Sequence, residues 1–348
     1  MKKSFLNIFV KRPEIFTIII IAVYFTIIGT INNDFMNFDT IVRILFNGTM
    51  LFVLTIGMSS VIITKNIDVS VGSLMGLAAT MGGTVLNLTG NMFLAIITTI
   101  GVGVLGGFVN GIGVSYLGVT AIIMTLGTMA VFRGLLITYT GGKWIQNVPE
   151  SFTNLAKVEF LGVNLSIWIT ILVVVAFMIF FTRFKIGRYF YAVGNNKEGA
   201  KMQGIAVKPI VVSAFTISGL CAGIAGVIYI AQIGAVPNLA GSGMETQAIA
   251  AAVIGGVSLS GGRGNAIGAL LGAILLQTVN YSLVYLKVPG YWNNFISGFM
   301  LLAIIVLSSV IQNYLRREKE RSLDAQIRAE YFKTKELVET GVSGSDAK

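Results

Sequence analysis

The chain has 348 residues, 55% hydrophobic and only 11% charged, with 41 glycines and a mean hydropathy of +0.82, which excludes soluble domains and describes a polytopic membrane protein. Histidine is absent and Cys221 is the lone cysteine, so imidazole-based metal sites and catalysis are excluded, as is any internal disulfide. The net charge of +10 sits in loops and tails, the pattern of one face of an integral membrane protein and not of a nucleic-acid surface.

The N-terminus, MKKSFLNIFVKRPEIFTIIIIAVYF, joins a basic start to an apolar run that continues to about Thr30. No small-residue cleavage site interrupts it, so a retained first span is expected in place of a signal peptide. A span needs roughly 20 apolar residues to cross about 30 Å of hydrocarbon. Ten such runs fall near residues 14–31, 44–64, 72–89, 92–115, 119–140, 163–182, 210–234, 246–260, 266–286 and 293–313. The third and eighth are short and interrupted by glycine, which makes either a candidate for a broken or re-entrant segment. Lipid supplies no hydrogen bonds to the backbone, so the expected fold is all-α.

Basic residues orient the spans. With a cytoplasmic N-terminus, the inner segments hold Lys2, Lys3, Lys11, Arg12, Lys65, Arg183, Lys185, Arg188, Lys197, Lys201, Lys208, Arg263 and the basic residues of the tail. The outer segments hold only Arg43, Lys143, Lys157 and Lys287. This asymmetry supports ten spans with both termini inside. Residues 1–313 then form the transmembrane domain, with an inner loop at 183–209, and residues 314–348 form a cytoplasmic tail.

Several motifs stand out along the chain. In NIDVSVGS, Asp68, Ser70 and Ser73 either line the cytoplasmic mouth of a solute path or cap a helix, with Lys65 close enough to pair with the acid. Gly103, Gly107 and Gly111 repeat every four residues, as do Gly219 with Gly223 and Gly264 with Gly268 and Gly272, the spacing that lets helices approach closely. GVGVLGG at 101–107 matches a dinucleotide fingerprint, yet no strand precedes it and no acidic residue follows at the right distance.

Arg133 lies within the fifth span, where a guanidinium costs at least about 2.5 kcal/mol, so it must face the bundle interior or snorkel outward past Tyr139. In the 183–209 loop, Asn195 is a suitable N-cap, Glu198 would occupy the third helical position, and Gly204 suits a left-handed stop. A helix of about two turns is marginal alone, so it either lies on its own bundle or docks a cytoplasmic partner. Glu245 opens the eighth span near the positive end of a helix dipole and, with Gln247, can meet a hydroxylated ligand or a delivering protein. GGVSLSGGRGN at 255–265, with Arg263, reads as a tight inner turn or a gate.

No GxxxxGK[ST] occurs, so the chain does not hydrolyse ATP by a phosphate loop. A membrane enzyme is disfavoured for want of histidine, paired intramembrane acids or a nucleophile with its base. Two transport classes stay open on residues alone: a permease driven by a separate ATPase, and a transporter driven by an ion gradient. The second commonly uses intramembrane acids, whereas Asp68 and Glu245 both fall at span ends.

EGAKMQG, Glu198 to Gly204, resembles the EAA-x-x-x-G loop of bacterial ABC importer permeases, with Gly199 where that family usually has alanine. NIDVSVGS at 66–73, TLGTMAVFRG at 125–134, GRYFYAVG at 187–194 and AIAAAVIGGVSLSGGRG at 248–264 resemble the sugar-permease branch of those importers. Within that branch, TKNIDVSVGS, TGGKWI, AQIGAVPN and VPGYWNNFISG are similar to permeases of autoinducer-2 import.

The resemblance implies an all-α permease fold in a bacterial inner membrane, and a transport subunit in place of an enzyme. It implies Asn195, Glu198, Gly199, Ala200 and Gly204 as the contact to a cytoplasmic ATPase. No cofactor would be bound by this chain, since ATP and magnesium belong to the ATPase. The further partners implied are a second, different permease subunit and an extracytoplasmic solute-binding protein. The solute expected is autoinducer-2, with ribose- or rhamnose-like sugars as the alternative.

Overall fold

A computed structural model describes residues 13–289 and, beyond them, scattered helical positions between residues 292 and 306. The basic N-terminal residues, most of the tenth run and the 314–348 tail lie outside the described residues. Contacts divide the chain into Met1–Leu301 and Leu302–Lys348, and the helices below belong to the first unit.

These helices are α1 (Pro13–Ile31), α2 (Phe38–Ile63), α3 (Val71–Thr89), α4 (Met92–Ser115), α5 (Ala121–Thr140), α6 (Glu150–Lys157), α7 (Leu165–Arg183), α8 (Lys185–Asn195), α9 (Lys197–Met202), α10 (Val207–Ile233), α11 (Met244–Ile254) and α12 (Ala266–Tyr285). A 3-10 turn at Asn33–Met36 and a two-stranded ribbon, β1 (Glu159–Phe160) with β2 (Val163–Asn164), complete the described elements. Seven helices, α2 to α5, α7, α10 and α12, are long and apolar enough to cross a membrane. The apolar stretch of α1 and the whole of α11 are shorter.

Local signals start and stop these helices where the apolar runs begin and end. Asn91 caps α4 by accepting from Leu94 N–H at 3.1 Å, and Asn265 caps α12 by accepting from Gly268 N–H at 2.6 Å. Gly90, Gly141 and Gly234 close α3, α5 and α10 in the left-handed conformation. No glycine marks the end of α2. There Lys65 takes φ 65°, and its N–H and that of Asn66 return to Ile62 and Val61 carbonyls.

The two short apolar runs resolve differently. The third is one continuous helix of 19 residues. The eighth is a helix of 11 residues, spanning about 16 Å at 1.5 Å per residue, too short to cross alone. Non-helical chain, Ala235 to Gly243, precedes it.

The bundle has a basic end and an opposite end. At the basic end lie the C-terminus of α2, the α8–α9 pair and the start of α12, where Asn265 bonds Glu14 of α1. Ser115 at the close of α4 donates to the Lys208 carbonyl at the start of α10, 2.9 Å. At the opposite end, Asn87 of α3 donates to the Gln146 carbonyl at 2.7 Å, and Ile145 pairs with Val236 in an antiparallel bridge.

The most extensive packing joins α4 to α10, and the glycine repeats explain it. A Cβ on Gly103 would collide with the Gly219 carbonyl and lie 2.7 Å from Gly223 N; one on Gly223 would lie 2.7 Å from Ile100 Cα. Gly107 meets Phe215 and Gly219 in the same way, and Gly268 and Gly272 of α12 meet the backbone of Gly255 and Ala251. These stripes bring backbone against backbone, which dispersion then rewards in a setting where lipid offers no hydrophobic drive between helices.

Candidate functional site

Both α3 and α11 begin inside the bundle. Ser70, immediately before α3, bonds Asn110, five residues before the end of α4, while Asp68 bonds Ser218, eleven residues into α10. The first turn of α3 meets the first turn of α11 there: a Cβ on Gly72 would collide with Glu245 Oε2 and the Gly241 carbonyl. From this meeting point the two helices lead to different ends of the bundle, touching mainly through their starts.

The first polar group is a buried knot. Asp68 Oδ1 accepts from Ser70 N–H at 3.0 Å and Ser70 Oγ at 2.6 Å, and Asp68 Oδ2 accepts from Ser218 Oγ at 3.1 Å. Asn110 Nδ2 donates to Ser70 Oγ at 2.7 Å, and Val69 N–H donates to Thr125 Oγ1 at 3.1 Å. Asp68, Ser70, Asn110, Thr125 and Ser218 are fully buried. Lys65 is exposed, and the hydrogen-bond partners of Asp68 are hydroxyls and a backbone amide. The knot ties the 64–70 connector to α4, α5 and α10 at once, with Asn110 Oδ1 left buried and without a hydrogen-bond partner, and a buried polar network of this kind holds one arrangement of the elements it joins.

The second polar group surrounds Arg133. Its Nη1 donates to the Ala240 carbonyl at 2.8 Å and its Nη2 to Ser73 Oγ at 3.4 Å. Arg133 therefore faces the bundle interior, while Tyr139 is exposed; outward snorkelling is not what satisfies this guanidinium. Glu245 Oε1 accepts from Gly243 N–H at 3.2 Å, and Oε2 is buried without a hydrogen-bond partner. The two charges attract one another across the junction.

Sequence reasoning singled out Asp68, Ser70, Ser73, Arg133 and Glu245, and all five converge here. It missed Asn110, Ser218, Thr125 and Ala240. Asn110 carried one usable signal, a lone amide in an apolar run; Ser218 reads as a small residue beside Gly219, and Ala240 acts through its backbone. Arg263 lies apart, exposed beyond the C-terminal end of α11 in a tight turn closed by Ser258 N–H on its carbonyl, 3.0 Å.

At the basic end, one position in the 183–209 loop is corrected. Asn195 is not the N-cap; it is the last residue of α8. Asn196 is extended (φ −156°) and accepts from Gly199 N–H at 3.0 Å, so α9 runs from Lys197 to Met202. Glu198 is consequently at the second helical position, not the third, and α9 is six residues, under two turns. Either asparagine can cap in isolation. Packing chooses: Gly194 is wedged against the Ile63 carbonyl and Gly262, which keeps Asn195 in the helix.

Gly204 is left-handed as expected (φ 76°), with its N–H on Lys201 and that of Ile205 on Ala200. Ala200 is buried, whereas Lys197, Glu198, Lys201 and Met202 are exposed, Met202 by 84%. Behind α9, Tyr191 of α8 donates to the Gly264 carbonyl at 2.9 Å, and Gly262 N–H caps the Ile63 carbonyl at 2.9 Å. Burial pushes the Tyr191 phenol above its ordinary range. The end of α2, the end of α8 and the 255–265 turn thus form one close-packed node.

A family profile described as branched-chain amino acid transport system / permease component matches residues 40–305. The autoinducer 2 import system permease protein LsrC of Escherichia coli O9:H4 (strain HS) is 38% identical over 313 residues, covering 89% of this chain and 92% of the relative. LsrC of Photorhabdus luminescens is 38% identical over 301 residues, 86% and 91% of the two chains, and that of Salmonella typhi 37% over 313 residues, 89% and 90%. No solved structure matches. An all-α membrane chain with this profile match and these relatives belongs to the permease-component family of branched-chain amino acid transport systems, in which the LsrC permeases are its relatives.

Proposed function

We propose that this chain is the membrane-spanning permease subunit of an ATP-driven importer of autoinducer-2, in a bacterial cytoplasmic membrane, with both termini and the α8–α9 end in the cytosol. The observation that carries the reading is the 37–38% identity, over about nine-tenths of the chain, to relatives named as autoinducer 2 import permeases. The exposed α9, anchored by Ala200 and offering Met202, Glu198 and two lysines, supports a docking role.

A separate ATPase holds ATP and magnesium and grips α9. Because Ala200 is buried and Gly194 is wedged between Ile63 and Gly262, a push on α9 moves the end of α2 and the 255–265 turn together. The turn leads directly into α11 and α12, so the displacement reaches the α3–α11 junction, where Ser73, Arg133 and Glu245 lie beside the solute path. Such rigid-body rocking alternates access between the two sides. A second, different permease subunit completes the path, and a solute-binding protein delivers solute at the opposite end, where affinity resides. Simple sugars share the hydroxyl chemistry of the solute; the names of the relatives favour autoinducer-2.

The test is uptake into proteoliposomes carrying the subunits that co-purify with this chain. ATP-dependent autoinducer-2 uptake should persist when a protonophore collapses the proton gradient. Uptake that follows the gradient and ignores ATP overturns the reading, as does labelling of a cysteine at Lys197 by an impermeant reagent added outside intact cells.

A further inference from the structure

The junction of α3 and α11 leaves two strong hydrogen-bonding groups incompletely used. Glu245 Oε2 is buried and has no hydrogen-bond partner. Arg133 has five N–H donors, and its side-chain nitrogens donate to one backbone carbonyl, Ala240, and one hydroxyl, Ser73. A guanidinium and a carboxylate at one junction are thus each held on neutral partners and not on one another, although a direct pair would be the stronger arrangement.

The partner that best satisfies such a set is constrained by chemistry. An anion suits Arg133 and is repelled by Glu245; a cation suits Glu245 and is repelled by Arg133. A neutral solute with adjacent hydroxyls satisfies both, donating to Glu245 Oε2 while accepting from Arg133 and Ser73. The same charge balance disfavours charged competitors of similar size.

Access depends on the re-entrant chain before α11. Ala240 and Gly241 lie on Gly72 and Gly76 of α3, where a Cβ on either α3 glycine would collide with their carbonyls. The contact brings backbone against backbone, with the Met75 and Leu136 side chains at its margin, and the Arg133 to Ala240 hydrogen bond fastens it. The far side of this chain is held at the opposite end by the Ile145–Val236 bridge and by Asn238 Nδ2 on the Gly142 carbonyl, 3.1 Å.

We propose that Arg133, Ser73 and Glu245 are a recognition site for one neutral, hydroxyl-rich solute, exposed when Ala240–Gly241 lift from α3 and the solute replaces the Ala240 carbonyl on Arg133. The proposal rests on the permease reading and deepens it by naming which side chains select the solute. Selection at this site is separate from selection by the binding protein.

The experiment uses proteoliposomes of the importer with its co-purified subunits, with the competitor loaded inside so that the binding protein plays no part. Xylitol, neutral, and gluconate, anionic, are compared for slowing ATP-driven autoinducer-2 uptake. In the wild type, xylitol should inhibit and gluconate should not. In Glu245→Gln the balance tips towards the anion: gluconate should inhibit, and xylitol should weaken by about tenfold, the loss expected for one charge-assisted hydrogen bond.

An unchanged order of inhibitors in Glu245→Gln, with ATP-driven uptake intact, overturns the site and leaves the permease reading standing. So does a wild type that internal xylitol does not slow. If Glu245→Gln fails to assemble, Ser73→Ala and Arg133→Lys decide: weakened xylitol inhibition in either supports the site, and wild-type inhibition in both overturns it. A wild type with no ATP-driven autoinducer-2 uptake removes the permease reading and the site with it.

Discussion

Replacing Gly103 with alanine tests the α4–α10 seam. The new Cβ would collide with the Gly219 carbonyl and sit 2.7 Å from Gly223 N and 2.8 Å from Gly223 Cα. Comfortable carbon contacts lie at about 3.5–4.0 Å, so the helices must part by roughly 1 Å. Gly107 and Gly111 are packed just as closely further along the same seam, and separation at Gly103 loosens them too. Overpacking of this kind costs about 1–3 kcal/mol, against a gain of about 0.5–1 kcal/mol from the better helix propensity of alanine.

Gly127 on α5 is the control, because a Cβ there meets nothing within 4 Å. Gly127→Ala should keep the propensity gain alone. The two variants should therefore differ by about 2 kcal/mol with opposite signs, roughly a thirtyfold difference in the folded-to-unfolded ratio. Denaturant unfolding in mixed micelles, followed by circular dichroism, measures it. Equal stabilities for Gly103→Ala and Gly127→Ala would refute the claim that bare backbones meet along this seam.

The remaining predictions concern the two polar groups and the docking helix. Asp68→Ala strips Ser70 and Ser218 of their buried acceptor and should cost about 2–4 kcal/mol, whereas Ser218→Ala, which removes one hydrogen bond, should cost about 1–2 kcal/mol in the same unfolding assay; equal costs would argue against a shared knot. Ala200→Pro removes the first backbone bond of α9, Ala200 N–H to the Asn196 carbonyl at 2.9 Å, and should abolish uptake while membrane insertion and the unfolding midpoint stay near wild type. Asn196→Ala should destabilise α9 by about 1 kcal/mol and Asn195→Ala should leave its capping intact, a contrast read by hydrogen exchange over 197–202. Gly204→Ala forces a side chain into the left-handed region at a cost of about 1 kcal/mol and should lower uptake partially.

Much of the fold was legible because the bilayer imposes it. Each apolar run must satisfy its own backbone, so its length and its flanking Asn or Gly residues set the helix; nine of the ten expected runs correspond to helices among the described residues. The glycine repeats announced close helix contacts, though not their partners: Gly103 and Gly107 find Gly219 only when α4 and α10 are side by side. The candidate residues Asp68, Ser70, Ser73, Arg133 and Glu245 stood out because polar groups are scarce in such a chain, and each left two roles open.

What composition and spacing determined by themselves was the all-α membrane class, the polar residues that need an explanation, and the short helix stopped by Gly204, since all three follow from local backbone and desolvation costs. Tertiary structure decided which of two adjacent asparagines caps that helix, where Arg133 points, and that α3 and α11 start against each other inside the bundle. Those outcomes rest on contacts between residues more than a hundred positions apart, such as Arg133 with Ala240 and Gly194 with Ile63, and local propensity carries no information about them.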